Sequence, residues 1–210
     1  MPEEIGLFEA IETQRAIRRF KPDAVPDEDI DRLIYAATKA PSGANRQPWK
    51  FIVIRDSVLK RSIADLYLRS WTASYGERAA PPPVIQPTVR ASAAHLAEHI
   101  HEVPILILAC IEHDGSPSAM GRGSSIYPAV QNILLAARGL GLGSVITTLH
   151  KRYEDEIKEL LHIPHNVETA ALLPVGYPAE GVSYGPTRRA PVEEVIYLDR
   201  WGESSSRGPA

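Results

Sequence analysis

Apolar residues recur at helical spacing in several stretches of the chain. In VPDEDIDRLIYAATKAPSG, Ile30, Leu33, Ile34 and Ala37 lie three or four residues apart, which is the spacing of one helix face. Acidic residues open this stretch, where the helix dipole favours anions, and a Pro and a Gly end it. Similar patterns predict helices over residues 57–74 and in RASAAHLAEHIHE, SSIYPAVQNILLAARGLGLG (with Pro128 in its first turn) and YEDEIKELLHI.

Four other stretches are apolar without a helical period. They are WKFIVIRD, VPILILACIE, SVITTL and VETAALLPVGYP, and continuous β-branched and aromatic runs of this length predict buried strands. Helices separate these strands along the chain, which favours an α/β or α+β layer with both faces of the sheet covered. Taken alone, this alternation inclines towards a parallel sheet.

The polar and Pro-rich segments mark connections. Residues 76–87, GERAAPPPVIQP, predict a loop or lid, because consecutive prolines fit neither a helix interior nor a central strand. The tail GESSSRGPA is low in apolar content, so residues 202–210 are expected to fray. One domain over residues 1–201 is the expectation for a chain of this length.

Composition excludes several classes of protein. The chain of 210 residues has a net charge of −3, so no basic excess indicates a nucleic-acid partner. Its one cysteine, Cys110, lies in ILILAC, which predicts a core position and excludes an internal disulfide. The longest apolar run, residues 103–111, is too short to span a bilayer, and the start lacks a secretory pattern. A cytoplasmic protein without membrane contact is expected.

Two short motifs have plain structural explanations. GLGLGS follows a predicted helix and precedes a strand, the reverse of the order in a dinucleotide-binding turn, so a helix stop with close packing is favoured. HLAEH places His95 and His99 as a zinc protease would, yet no third ligand suggests itself, and a solvated helix face is favoured. No nucleophile elbow, Walker motif or C-x-x-C is present.

Arginines cluster near both ends of the chain. QRAIRRFKPD contains Arg15, Arg18 and Arg19, and on a helical turn Arg15 and Arg18 would share one side. Guanidinium groups placed together attract an anion, and their forked donors suit a phosphate; a solvated basic patch is the alternative. A second pair, Arg188 and Arg189, follows the last predicted strand, and the two pairs together would suit one phosphate.

QRAIRRF, APSGANRQPWKFIVI and LLPVGYP…GPTRRAPVEEVI together resemble the FMN-dependent nitroreductase superfamily, over about residues 8–201. The resemblance implies an α+β fold with a central, mostly antiparallel sheet flanked by helices. This implication replaces the expectation of a parallel sheet. It also implies an intertwined homodimer with two FMN sites at its interface. The segment around EEVIYLDRW would cross to the partner.

The resemblance also implies which residues bind FMN. The phosphate and ribityl chain of FMN would contact the first motif, and the C-terminal arginines would also reach the phosphate. The strand end VITTL would lie along the flavin ring, and the partner subunit would contribute the APSGANRQ loop. The implied residues are Arg15, Ala16, Arg18, Pro41, Ser42, Asn45, Gln47, Ile146, Thr147, Thr148, Arg188 and Arg189. Ala16 departs from the family by replacing a serine, and the lost hydrogen bond should cost about 1 kcal/mol. Trp49 is expected to pack in the core.

The resemblance implies an FMN-dependent oxidoreductase that takes hydride from NADH or NADPH and reduces a nitroaromatic or quinone by a ping-pong mechanism. The cofactor carries this chemistry, so no catalytic side chain is assigned. Residues 67–90 would supply a lid. Tyr67, Trp71 and Tyr75 are spaced to form an aromatic wall or equally a core face, and Tyr127 is a further substrate candidate for which a core position is favoured.

Other activities stay open within the same fold. They are fragmentation of the flavin, reductive dehalogenation and deazaflavin-linked chemistry. A different class of function, a non-catalytic protein that stores FMN, also fits the sequence.

Overall fold

The computed structural model describes residues 5–76, 86–115 and 119–203. The Pro-rich part of the expected lid and the tail from residue 204 lie outside these residues. The described helices are α1 (Leu7–Thr13), α2 (Asp27–Ala37), α3 (Ser57–Tyr75), α4 (Pro87–His99), α5 (Ala119–Gly139) and α6 (Glu154–Leu160), and the strands are β1 (Trp49–Ile54), β2 (Ile105–Glu112), β3 (Gly143–Ser144) and β4 (Val167–Gly176).

The four strands form one antiparallel sheet in the order β1-β2-β4-β3. Trp49 of β1 pairs with Ile111 of β2, and Ile105 of β2 pairs with Val175 of β4. The antiparallel sheet implied by the family resemblance is therefore confirmed, and the inclination towards a parallel sheet is wrong. Burial on both faces makes the strands continuously apolar in either topology, so the apolar pattern could not distinguish them.

The sheet divides the core into two layers. On one face α2 and α5 pack against Ile105, Ile107 and Leu173, and on the other α3 and α4 pack against Leu106 and Leu108. Neighbouring residues of β2 thus serve opposite layers, as the alternation of a strand requires. Each of these fully buried side chains stabilises the fold by about 1.5–3 kcal/mol.

Cys110 lies in the second layer, and Trp49 lies in the first. Burial raises the pKa of the Cys110 thiol to about 12, which keeps the thiol protonated and unreactive near neutral pH. The expected core positions of Cys110 and Trp49 are therefore confirmed. No helix in the described parts of the chain is long and apolar enough to cross a membrane.

Helix α5 begins earlier than its pattern predicts. It starts at Ala119, so Pro128 lies inside the helix and not in its first turn. The expected stop is confirmed: the helix ends at Gly139, Gly141 has a φ of +73°, and the Leu142 amide donates to the Ala137 carbonyl at 2.8 Å. A Cβ on Gly143 would lie 2.5 Å from Ile17, so this glycine permits close packing of the N-terminal segment.

Candidate functional site

The arginines of the first motif lie on extended backbone. Helix α1 ends at Thr13, Ala16 forms a parallel bridge with Ser144, and the Ile17 amide donates to the Ser144 carbonyl at 3.1 Å. The helical turn expected for Arg15 and Arg18 is therefore wrong, because pairing with the sheet edge overrides the local helical preference. The segment runs beside β3 and is joined to it at this bridge.

Arg15 and Arg18 nevertheless line one cleft. This basic cleft has a volume of about 260 Å³ and is lined by Arg15, Ala16, Ile17, Arg18, Arg19, Ser92 of α4 and Gly181–Ser183. Arg19 donates to His95 Nε2 at 3.4 Å. Burial, Arg19 and the neighbouring His99 together lower the pKa of His95, so its ring is neutral near neutral pH.

Neither Arg15 nor Arg18 has a carboxylate partner among the described residues. Arg18 is half-buried, and burial lowers the pKa of its guanidinium. A partly buried cation is expensive unless an anion or acceptor compensates it. The basic cleft is therefore suited to an anion.

The two histidines of HLAEH stack on each other instead of converging on a point. Their ring centroids are 4.4 Å apart, and His99 Nδ1 lies 3.2 Å from a Glu102 oxygen. Within the described residues there is no group of three or more His, Cys, Asp or Glu side chains that could hold a metal ion.

Residues 41–47 form an exposed loop, called here the amide loop. Ala44, Asn45 and Gln47 have φ values of +52°, +53° and +52°, a region that non-glycine residues rarely adopt and that stores strain. The loop is held by hydrogen bonds from the Gln47 amide to Ser42 Oγ at 3.0 Å and from Gln47 Nε2 to Asn45 Oδ1 at 3.2 Å. Its amide and hydroxyl groups thus line an exposed rim, and Pro41 is exposed beside them.

The strand predicted over SVITTL is shorter than expected. Strand β3 covers Gly143–Ser144, and beyond it Thr147 forms a bridge with Leu172, with N···O distances of 3.1 and 2.9 Å. Ile146 and Thr148 are exposed on either side of Thr147. The strand end therefore presents two exposed positions around one fixed residue.

The aromatic residues of α3 separate into two groups. Tyr67 is buried, and its hydroxyl is hydrogen-bonded to Thr147 Oγ1 at 2.7 Å. It also interacts electrostatically with Arg18, so it links the basic cleft to the strand end. Trp71 and Tyr75 are half-buried, with ring centroids 4.7 Å apart. Tyr67 belongs to the core face and Trp71 packs partly against the same core layer, and the exposed parts of Trp71 and Tyr75 remain available as a wall.

Two other predicted groups lie elsewhere. Tyr127 is 43% exposed, so the favoured core position for it is wrong. Arg188 and Arg189 are exposed and do not line the basic cleft, and Arg189 donates to the Arg188 carbonyl at 2.8 Å. A single chain thus does not bring the two arginine pairs together.

The sequence did not reveal a larger cleft behind the amide loop. This loop cleft has a volume of about 660 Å³ and is lined by Gly43, Arg46, Pro48, Ile111–Asp114, Gly121, Arg122, Ser124, Ser125 and Asn166. The Gly43 amide donates to Ser125 Oγ at 3.4 Å, which joins the amide loop to α5. Four separate segments build the cleft, so the sequence does not predict it. Its only sequence signal is Arg46, a charged residue within the amide loop.

An ionic network also fixes the first turns of α5 to the sheet. Arg122 Nε lies 2.8 Å from Glu168, and Lys151 Nζ lies 3.2 Å from Glu168 and 2.6 Å from Glu154. Burial alone would raise the pKa of both carboxyls, but the hydrogen bonds from Lys151 and their other partners outweigh it and lower both. The carboxylates are therefore ionised well into the acid range.

The comparisons with known proteins agree with this architecture. The model of the Nitroreductase family matches residues 11–177, and the chain belongs to this family. A relative from Methanothermobacter thermautotrophicus, which carries the provisional name NADH dehydrogenase/NAD(P)H nitroreductase, is 30% identical over 94% of this chain and 89% of its own. An iodotyrosine deiodinase of Thermotoga neapolitana is also 30% identical, over 90% of this chain and 95% of its own.

A solved structure shows the same fold with ligands bound. The crystal structure of oxidized iodotyrosine deiodinase bound to FMN and 3-iodo-L-tyrosine has a TM-score of 0.71 and 28% identity, and the match covers 93% of this chain and 99% of that one.

Proposed function

We propose that this protein is an FMN-dependent oxidoreductase that uses NADH or NADPH to reduce a small planar acceptor of the nitroaromatic or quinone type. The observation that carries the proposal is the basic cleft, where Arg15 and half-buried Arg18 have no carboxylate partner in the described residues. Two guanidinium forks match the oxygens of a phosphate monoester. The name of one relative and the FMN bound in a related structure support FMN as the molecule that carries this phosphate.

The proposed direction of the cofactor follows Tyr67, which interacts electrostatically with Arg18 and is hydrogen-bonded to Thr147. Arg15, Ala16 and Arg18 would hold the phosphate, and the flavin would extend past Tyr67 towards Ile146, Thr147 and Thr148. Ala16 offers no side-chain donor, so the arginines carry most of the phosphate binding. Bound FMN would supply the hydride chemistry, while the chain binds it, orients it and excludes water.

A second copy of the chain would complete the site. Leu7, Phe8 and Ile11 of α1 and Trp201 of the C-terminal segment are 50–90% exposed, and exposed apolar patches of this kind mark protein interfaces. In a twofold dimer each amide loop, through Pro41, Ser42, Asn45 and Gln47, would contact the flavin held by the partner. The C-terminal segment would bring Arg188 and Arg189 to the partner's phosphate site.

The direct test is the absorbance spectrum of the purified protein, reconstituted with FMN where needed, before and after anaerobic addition of NADH or NADPH. Flavin bands that bleach with one reductant and return on addition of a nitroarene or quinone support the proposal. Bands that persist with both reductants contradict it and favour an FMN-storage protein. The absence of FMN binding after reconstitution also contradicts it.

Reductive dehalogenation is the second candidate. Relatives named iodotyrosine deiodinase span about 90% of the chain, and the half-buried pair Trp71 and Tyr75 offers an aromatic surface for a halophenol. Iodide release from 3-iodotyrosine by the dithionite-reduced protein, without comparable turnover of nitroarenes, would select this activity. Nitroarene turnover without iodide release would reject it.

A further inference from the structure

The loop cleft has the size of a small-molecule site and a place beside the amide loop. Its volume of about 660 Å³ lies within the range of about 300–1,000 Å³ that ligand pockets span. Gly43 and Arg46 of its wall belong to the loop proposed to contact the partner's flavin. A ligand in this cleft would therefore contact the same loop as the partner's flavin would.

The charges of the cleft wall are mostly matched by neighbours. Arg122 pairs with Glu168 at 2.8 Å, and Glu112 pairs with Lys50 at 3.1 Å. Asp114 also lines the cleft and is likewise engaged. Arg46 differs, because its exposed guanidinium makes no ion pair or hydrogen bond with any residue that the structure describes. Its guanidinium is therefore a positive charge that a ligand can reach.

Other polar residues of the cleft add hydrogen-bond donors. His113 Nδ1 accepts from the Gly115 amide at 3.1 Å, so in the neutral ring Nε2 carries the proton and can donate. Asn166 adds a side-chain amide. An arginine fork with neutral donors around it is the arrangement that binds a carboxylate.

We infer that the loop cleft binds the electron acceptor and that Arg46 makes it selective for acceptors that carry a carboxylate. This inference rests on the proposed function, because it takes the acceptor to be reduced at the flavin beside the amide loop. Arg46 acts as a specificity residue and takes no part in the redox chemistry. The predicted substrate is thus a planar reducible arene with an anionic side group.

The test compares 4-nitrobenzoate with 4-nitrobenzamide, which differ in the charge of one substituent. Steady-state kinetics of the FMN-loaded wild type should give a higher kcat/KM for 4-nitrobenzoate. The Arg46→Gln variant should lower kcat/KM for 4-nitrobenzoate about tenfold or more, as expected for loss of a hydrogen bond to a charged group. Its kcat/KM for 4-nitrobenzamide and its FMN content should stay unchanged.

The matched control is Arg32→Gln, which removes the same charge from the outer side of α2, where Arg32 is 57% exposed. Equal kcat/KM for the two substrates, or equal losses for both in Arg46→Gln, would overturn the inference. Calorimetric titration with 4-nitrobenzoate and 4-nitrobenzamide, without reductant, measures binding alone. It therefore distinguishes a failure of the inference about Arg46 from a failure of the proposed function. A wild type that cannot be reduced contradicts the function, whereas binding that ignores the carboxylate contradicts the role of Arg46.

Discussion

Arg18 combines partial burial with the lack of a carboxylate partner in the described residues, and this makes it the most informative residue of the basic cleft. The Arg18→Gln variant should weaken FMN binding by about 1.5–3 kcal/mol, which is about ten- to a hundredfold in Kd, because a charge-assisted hydrogen bond to phosphate is lost. Fluorescence quenching of FMN on titration with apoprotein measures this Kd.

Riboflavin supplies the control for this prediction, since it has the same ring and ribityl chain without the phosphate. The Arg18→Gln variant should bind riboflavin as the wild type does. Equal losses for FMN and riboflavin would show that Arg18 does not bind the phosphate.

His150 is a buried histidine whose protonation should be coupled to folding. Thr169 donates its hydroxyl proton to Glu154 at 2.8 Å, so His150 Nε2 must donate to Thr169, at 3.1 Å. The Nδ1 atom is buried without a hydrogen-bond partner in the described residues. Burial first, and then the charge of Lys151, lower the pKa of His150 to about 4 from 6.5.

The free energy of unfolding should therefore fall between pH 6.5 and about pH 4. Over this interval the unfolded chain binds a proton at His150 that the folded chain refuses, so acid favours unfolding by roughly 3 kcal/mol in total. Urea unfolding across this pH range should show the loss in the wild type and a flatter profile in His150→Asn. The variant measured near neutral pH, where the wild-type ring is neutral in both states, separates lost packing from the proton effect. Parallel profiles in both proteins would contradict the prediction.

At the scale of elements, sequence patterns predicted the strands and helix ends that depend on residues close together in the chain. WKFIVIRD was predicted as a strand and forms β1, and GLGLGS was predicted as a helix stop and contains the end of α5. Residues 14–20 were different, because Ala16 and Phe20 form bridges with Ser144 and Pro178, which are distant in sequence. Such pairing leaves no local signature, so a helical turn was the natural but wrong prediction.

The hydrogen bond between Tyr67 and Thr147 joins α3 to the strand end proposed to face the flavin. Tyr67→Phe should lower the free energy of unfolding by about 1–2 kcal/mol, because the hydrogen bond to the Thr147 hydroxyl is lost. A double-mutant cycle with Thr147→Val, measured by urea unfolding, should give a coupling of about 1 kcal/mol. Tyr35→Phe, at an exposed tyrosine of α2, should show no coupling with Thr147→Val, and coupling of equal size in both cycles would reject the interaction.

At the scale of the whole molecule, the sequence contained the fold through its family motifs, but not the loop cleft. Arg46, His113 and Arg122 line that cleft together. Their proximity depends on the register of β2 and on the early start of α5. The arginine pairs illustrate the same limit, since Arg15 and Arg189 do not meet within one chain. Sites assembled from several segments become visible only when their relative positions are known.

The exposed apolar surfaces of α1 and the C-terminal segment lead to the last prediction. Phe8 is 76% exposed and Trp201 is 90% exposed, and a second copy of the chain covering them would bury both. The Phe8→Glu, Trp201→Glu double variant should place charges in that interface, halve the mass measured by light scattering and release FMN, because each site would lose the partner's amide loop. Val58→Glu, at an apolar residue of α3 that is 71% exposed, is the control and should keep both mass and FMN. A wild type that is monomeric while loaded with FMN would refute the shared site, and the basic cleft would then have to bind the cofactor with residues of one chain alone.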